Sequence, residues 1–384
     1  TDRMTPRQLV LAAGRSEPVD RNPVTPYMGN YGAAVAGVPI DDYCTDSTTM
    51  ADAQIEAQKL VGQDMLVAQS DGYYMAEALG LTTLRRPATT PTPASWPVAE
   101  LAQVDELRIP DPRRDGRMPV YLGAVRQLRE AAGDELAVRA CGTGAFSLAG
   151  HMMGPDNFVM ALAMLDVEPD EEAERRLARL MEICTETTIA FALAALEEGA
   201  DLVMNGDSLA SLDMISPAIY ERWAWPYEKA FFDRVRPEAD ARGALTLLHI
   251  CGDTTPILHL STAAGEHVLE LDWKVDLAEA RRAADEAAAP GGRAPGDEPP
   301  RAPGPVALMG NLDPTAVLLQ GSPDEVGAAA LAALAAAGAA SEGGDNDAPA
   351  GGGGGFLLGS GCEVAPATPL ENMRAMVAAA RSGA

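Results

Sequence analysis

Eight short apolar runs punctuate the chain at residues 23–28, 64–69, 136–140, 201–204, 244–248, 267–271, 306–309 and 356–358. Most close on small or polar residues: Gly29-Asn30, Ser70-Asp71, Cys141-Gly142, Asn205-Gly206-Asp207, Asp272, Gly310-Asn311 and Ser360-Gly361-Cys362-Glu363. Helix-forming tracts separate them, as at 48–61 and 171–198. Runs this short and apolar read as strands buried on both faces. Eight strands alternating with helices predict an α/β fold, a parallel (β/α)8 TIM-type barrel. A doubly wound open sheet competes, but no G-x-G-x-x-G follows the first run. Polar residues gathered where the strands end mark the barrel face that carries chemistry.

Local signals agree. Thr5-Pro6 opens a first amphipathic helix, and Ser216-Pro217 starts another with Pro at its first position. Ser322-Pro323-Asp324-Glu325 and Thr368-Pro369-Leu370-Glu371 both fit a capping box. Residues 82–119, rich in Pro and Thr, read as a long surface excursion or cover. The expectation is one catalytic barrel over 1–384, with flexible Ala/Gly/Pro/acid-rich insertions at about 283–305 and 339–355.

The formal net charge of -27 disfavours nucleic acid and anionic membrane as partners. No N-terminal signal or apolar run of about 18 residues is evident. Cys44, Cys141, Cys184, Cys251 and Cys362 form no disulfide framework, so a reducing cytoplasm is expected.

The densest chemistry lies in Leu247-Leu248-His249-Ile250-Cys251-Gly252-Asp253. Residues i and i+2 of a strand share a face, so His249 and Cys251 aim an imidazole and a thiol at one point. One more Cys would complete a soft N/S metal site, and Cys362 ends the eighth run. Three protein ligands leave a fourth zinc position open, which suits catalysis. Set against this, a buried Cys is commonly a small hydrophobe and a lone His a satisfied core residue. Asp207, Asp272, Asn311 and Glu363 at strand ends could orient His249 or touch a substrate, or merely cap loops. Arg139 could anchor an anionic acceptor or form a salt bridge at the edge of the core. His151, His259 and His267 read as surface or helix residues, and the sixteen Met as packing.

Three separated motifs agree in order with a known group: 249–256, Gly310-Asn311-Leu312-Asp313-Pro314, and 361–372. They resemble the zinc-dependent cobalamin methyltransferases of the uroporphyrinogen decarboxylase superfamily, including the methylcobamide:coenzyme M enzymes of methanogens. The resemblance implies a (β/α)8 barrel, Zn2+ held by His249, Cys251 and Cys362, and methylcobalamin or a corrinoid protein as methyl carrier. It implies attack by a thiol-type acceptor such as coenzyme M. The reverse transfer, from an O-methyl, N-methyl or halide donor to cobalt(I), uses the same trio. Decarboxylases of the superfamily clamp a porphyrinogen with an Arg-bearing N-terminal segment. Here the matching Tyr27-Met28-Gly29-Asn30-Tyr31-Gly32 has no Arg, which leaves Tyr27 and Asn30 as candidate substrate contacts. A non-catalytic corrinoid-binding role is the remaining alternative.

Overall fold

The computed structural model describes residues 3–289, 305–339 and 355–382. Its strands are β1 (Met65–Ala68), β2 (Thr82–Arg86), β3 (Thr89–Ser95), β4 (Ala137–Thr143), β5 (Leu202–Gly206), β6 (Leu245–Ile250), β7 (Val268–Leu271), β8 (Ala307–Leu312) and β9 (Phe356–Ser360). Seven form one parallel sheet in the order β1-β4-β5-β6-β7-β8-β9. The segment around Val24 closes it. Val24 bridges Leu358 of β9 in parallel, and the Asp64 N–H donates to the Val24 carbonyl at 2.9 Å. The expected first strand over 23–28 is thus reduced to a single bridge, because Pro23 and Pro26 have no N–H to donate to a ladder. A bidentate pair from Arg21 to Asp64, 2.7 Å in both arms, fixes the closure instead.

Strand alternation separates two cores. Met65, Val67, Ala137, Leu202, Leu245, Leu247, Val268, Ala307, Met309 and Leu357 fill the inside of the barrel. Leu66, Val138, Val203, Leu248, Leu269 and Leu308 pack outward beneath the helices. The helix Pro6–Gly14 carries the full capping box of Thr5 and Gln8, and its Leu9, Val10 and Ala13 join the inner core. Gly14 lies against Leu245, so this helix plugs the N-terminal end of the barrel. The opposite end, where the strands finish, is left for the site.

The excursion at 82–119 runs over the surface as expected: β2 and β3, mostly exposed, pair as an antiparallel hairpin, and a 3-10 turn follows at Leu101–Glu106. Two further expectations need correction. The Ser322 capping box forms, with Glu325 Oε2 accepting from the Ser322 N–H at 2.7 Å. The Thr368 box does not: its hydroxyl is buried without a hydrogen-bond partner, and the helix begins at Leu370. The insertion expected from 283 starts too early, since the helix Leu277–Ala288 runs through those first residues. Most of both expected insertions lies outside the described residues. Among the described residues, no helix is long and apolar enough to cross a membrane.

Candidate metal centre

β6 turns Leu245 and Leu247 inward, so His249 two residues later points inward as well. It is the last inward position of β6 itself, and Cys251 follows just beyond the strand. Cys362 stands two residues past the end of β9. His249 Nε2 lies 3.3 Å from Cys251 Sγ, and Cys251 Sγ lies 3.7 Å from Cys362 Sγ. One ligand atom from each of the three residues falls within 4.8 Å of the others.

The spacing suits a shared ion. Bonds of about 2.3 Å to sulfur at the tetrahedral angle put two thiolates about 3.8 Å apart. A disulfide would need about 2.05 Å between the sulfurs. Among the described residues, no fourth His, Cys, Asp or Glu joins the group. His249 is buried, while Cys251 and Cys362 are half-buried, so the sulfurs face the open mouth.

Behind His249 stands a pair of charges: Arg139, for which the sequence offered a salt bridge, and Glu270, which sequence reasoning missed. Glu270 Oε2 lies 3.2 Å from His249 Nδ1, an ion-pair contact without hydrogen-bond geometry. Arg139 grips both Glu270 oxygens, at 2.7 and 2.6 Å. All three are buried in the barrel, and the guanidinium stacks 4.4 Å above the Tyr27 ring centre. Burial pushes the Glu270 carboxyl up, but Arg139 and His249 together hold it below its usual value. Burial likewise opposes charge on His249, and Glu270 and Cys362 outweigh it, lifting the ring above its ordinary value. The hydrogen bond with Cys362 favours the Cys251 thiolate and lowers that thiol. Arg139 and Glu270 occupy inward positions of β4 and β7, where only opposite charges can share a core.

The other candidates hold loops. The Asp207 carboxylate accepts from the Ser147 N–H at 2.6 Å and the Phe146 N–H at 3.3 Å. It therefore caps the helix Ala145–Met153 and does not orient His249; burial pushes it up to about 6. Asn311 Nδ2 donates to the Asp272 and Val275 carbonyls at 3.1 and 2.7 Å, clear of the imidazole. Asp272 accepts from the Gly252 N–H at 2.9 Å, which pins the turn that carries Cys251. Gly252 has φ +83°, so the turn needs a residue without a Cβ. Glu363 accepts from Asn30 N–H and Nδ2, at 2.7 and 3.1 Å, and burial pushes its carboxyl up to about 7. Asn30 in turn donates to the Ser70 carbonyl at 2.7 Å. Ser208, beside Asp207, places its Oγ 3.4 Å from Cys251 Sγ.

Of the two readings of Arg139 the salt bridge holds, inside the core rather than at its edge: the side chain is wholly buried and spent on Glu270, so it anchors no anionic acceptor. One further expectation changes. His267 is buried and contacts Asp240 at 2.9 Å. Cys44, Cys141 and Cys184 are buried free thiols outside the cluster.

The chain is similar to the methylcobamide:CoM methyltransferase MtbA of Methanosarcina mazei, 28% identical over 98% of both chains. It is also similar to the uroporphyrinogen decarboxylase of Syntrophotalea carbinolica, 26% identical over 82% of this chain and 79% of the other. A solved methyltransferase from Methanosarcina mazei superposes with a TM-score of 0.78 at 25% identity, covering 99% of both chains. With a family match to uroporphyrinogen decarboxylase (URO-D) that runs over residues 5–383, the chain belongs to that family.

Proposed function

We propose that this protein is a zinc-dependent corrinoid methyltransferase, moving a methyl group from a methylated corrinoid to a thiol of the coenzyme M kind. The observation that carries the reading is the trio of His249, Cys251 and Cys362 at the mouth of the barrel, with its two sulfurs 3.7 Å apart. These three residues would hold the ion. A zinc ion bound there lowers the pKa of a thiol, so that the thiolate, the nucleophilic form, persists at neutral pH.

The chain's own groups supply the rest. Glu270 faces Nδ1, which leaves the Nε2 lone pair on the side of the two sulfurs, free to take the ion. Arg139 balances Glu270, so the inner wall of the site stays dry without an unpaired charge. Asp272 and Gly252 fix the Cys251 turn, and Ser208 offers a polar contact to its sulfur. In the reaction, a new sulfur–carbon bond forms as the carbon–cobalt bond breaks. The bonding electron pair stays on cobalt, which goes from cobalt(III) to cobalt(I).

The similar MtbA is named as a methylcobamide:CoM methyltransferase, and that name supports a corrinoid as the methyl donor. A porphyrinogen decarboxylase would need cations to hold several carboxylates. The segment 27–32 has none, and Arg139 is already engaged. The reading takes the chain as one barrel with a separate corrinoid protein or free methylcobalamin as partner. Its free cysteines, with a half-buried pair of thiols side by side, support a reducing, cytoplasmic setting.

The test mixes the protein with methylcobalamin and a panel of thiols and follows the corrinoid spectrum. Demethylation by one thiol is expected. Inertness towards every thiol, with methylation of cobalt(I) by methoxylated or halide compounds, would reverse the direction. Metal analysis should find about one zinc per chain, lost in Cys251→Ala; a protein that holds none under any condition removes the basis of the reading.

A further inference from the structure

Two loops meet beside the turns that carry the two thiols. One, residues 207–216, follows β5; the other, residues 272–276, follows β7. Lys274 Nζ reaches Asp213 Oδ2 at 2.7 Å and ties them together. The first loop packs on Gly252: a Cβ there would stand 2.5 Å from Ser211 Oγ and 2.8 Å from Asp213 Oδ2. The second packs on Gly361: a Cβ there would stand 2.9 Å from the Trp273 Cβ. Each loop is therefore seated on a glycine directly beside one of the two cysteines.

Each loop also leaves one large apolar side chain in water. Trp273 is 46% exposed and Met214 is 41% exposed. Half-bare indoles are expensive to leave wet unless something covers them in use. Both sit on the rim of the face where β6 and β9 deliver the sulfurs.

We infer that Trp273, with Met214, forms the platform on which the corrinoid lies during methyl transfer. The inference rests on the methyl-transfer reading and adds the surface that reading lacks. A methyl group on cobalt is axial, standing perpendicular to the macrocycle. A sulfur attacking it must approach along that axis, so the flat ring has to lie across the barrel mouth with its face to Cys251 and Cys362. Such a ring presents a broad apolar face and a fringe of amides. An indole and a thioether suit the face. The Lys274–Asp213 brace between them offers a donor and an acceptor to the fringe.

The experiment measures steady-state demethylation of free methylcobalamin, and separately its binding by equilibrium dialysis, for the zinc-loaded full chain. Trp273→Ala is expected to raise KM and Kd for methylcobalamin roughly tenfold, equivalent to about 1.4 kcal/mol. KM for the thiol and the zinc content should not move. Trp273→Phe should recover most of the loss. If Trp273→Ala fails to fold, Trp273→Phe and Met214→Ser carry the test, each with a smaller rise in Kd. Unchanged Kd in both overturns the platform, as does a change in oligomeric state with corrinoid binding intact, which would make the rim a contact between copies. The two ideas fail separately. A wild-type chain that demethylates nothing, yet binds methylcobalamin in a Trp273-dependent way, sinks the reaction and keeps the surface. An active chain indifferent to Trp273 does the reverse.

Discussion

Arg139 and Glu270 are the residues on which the site's electrostatics turn. Neither is exposed, and each satisfies the other in a bidentate pair inside the barrel. Removing one partner of a buried pair strands the other charge, at about 3–5 kcal/mol. Glu270→Ala is therefore expected to lower the stability of the metal-free chain by that amount, read from urea unfolding. Arg139→Met alone should cost a similar amount, whereas the double change to apolar residues should recover much of it. If the two losses simply add, the pair is not coupled. Glu270→Gln retains bulk but not charge behind His249, and should weaken zinc binding about 10–100-fold. A competitive chelator titration reads that directly. His249 and Cys251 were legible from their spacing, because i and i+2 on a strand share a face. Glu270 was not, because a lone acid in an apolar run looks the same whether it meets solvent or an arginine on another strand.

At the scale of elements, the site is held by loop-to-loop contacts more than by the strands. Asp272, Asn311 and Asp207 lie at strand ends, as expected, but each spends its polar atoms on backbone groups of a neighbouring loop or helix. An Asx side chain at such a position caps or coordinates according to what the next element brings near, and one element's sequence does not contain the other's position. Close seating makes the arrangement intolerant of bulk. Gly361→Ala puts a methyl group 2.9 Å from the Trp273 Cβ and 3.0 Å from its Cα. The loop must move, so a loss of about 1–3 kcal/mol is expected by thermal unfolding. Corrinoid binding should weaken with it. The Ser322 box formed and the Thr368 box did not for a related reason: the motif proposes a helix start, and packing chooses whether the hydroxyl reaches it.

For the molecule as a whole, acidity reaches the interior. Glu266 is wholly buried. Burial pushes it up to about 8, against the pull of its own backbone N–H, the Arg236 guanidinium and the Gly265 N–H. Glu228, buried nearby and bonded to the Tyr220 hydroxyl at 2.5 Å, is also raised by burial. A carboxyl raised in this way favours the fold while it carries its proton. That contribution is complete below the unfolded value near 4.5 and is lost as pH climbs through about 8. The chain should thus lose stability between pH 5 and pH 8 by roughly this route. Glu266→Gln should be more stable than the parent at pH 8, with the gap closing towards pH 5. Parallel unfolding midpoints at the two pH values would refute the assignment.

The amino-acid order by itself determined the barrel. Most staves are short apolar runs with their own turn residues, and several helices, such as those opened by Thr5, Ser216 and Ser322, carry their own start signals, so these choices are local and readable one at a time. It also determined which side chains could act as soft ligands. Only the tertiary structure decided that Cys362, 111 residues from Cys251 along the chain, stands 3.7 Å from it. The same holds for Glu270 behind the imidazole and Trp273 at the rim. Those meetings depend on register around a closed sheet, where one residue of slip turns an inward side chain outward.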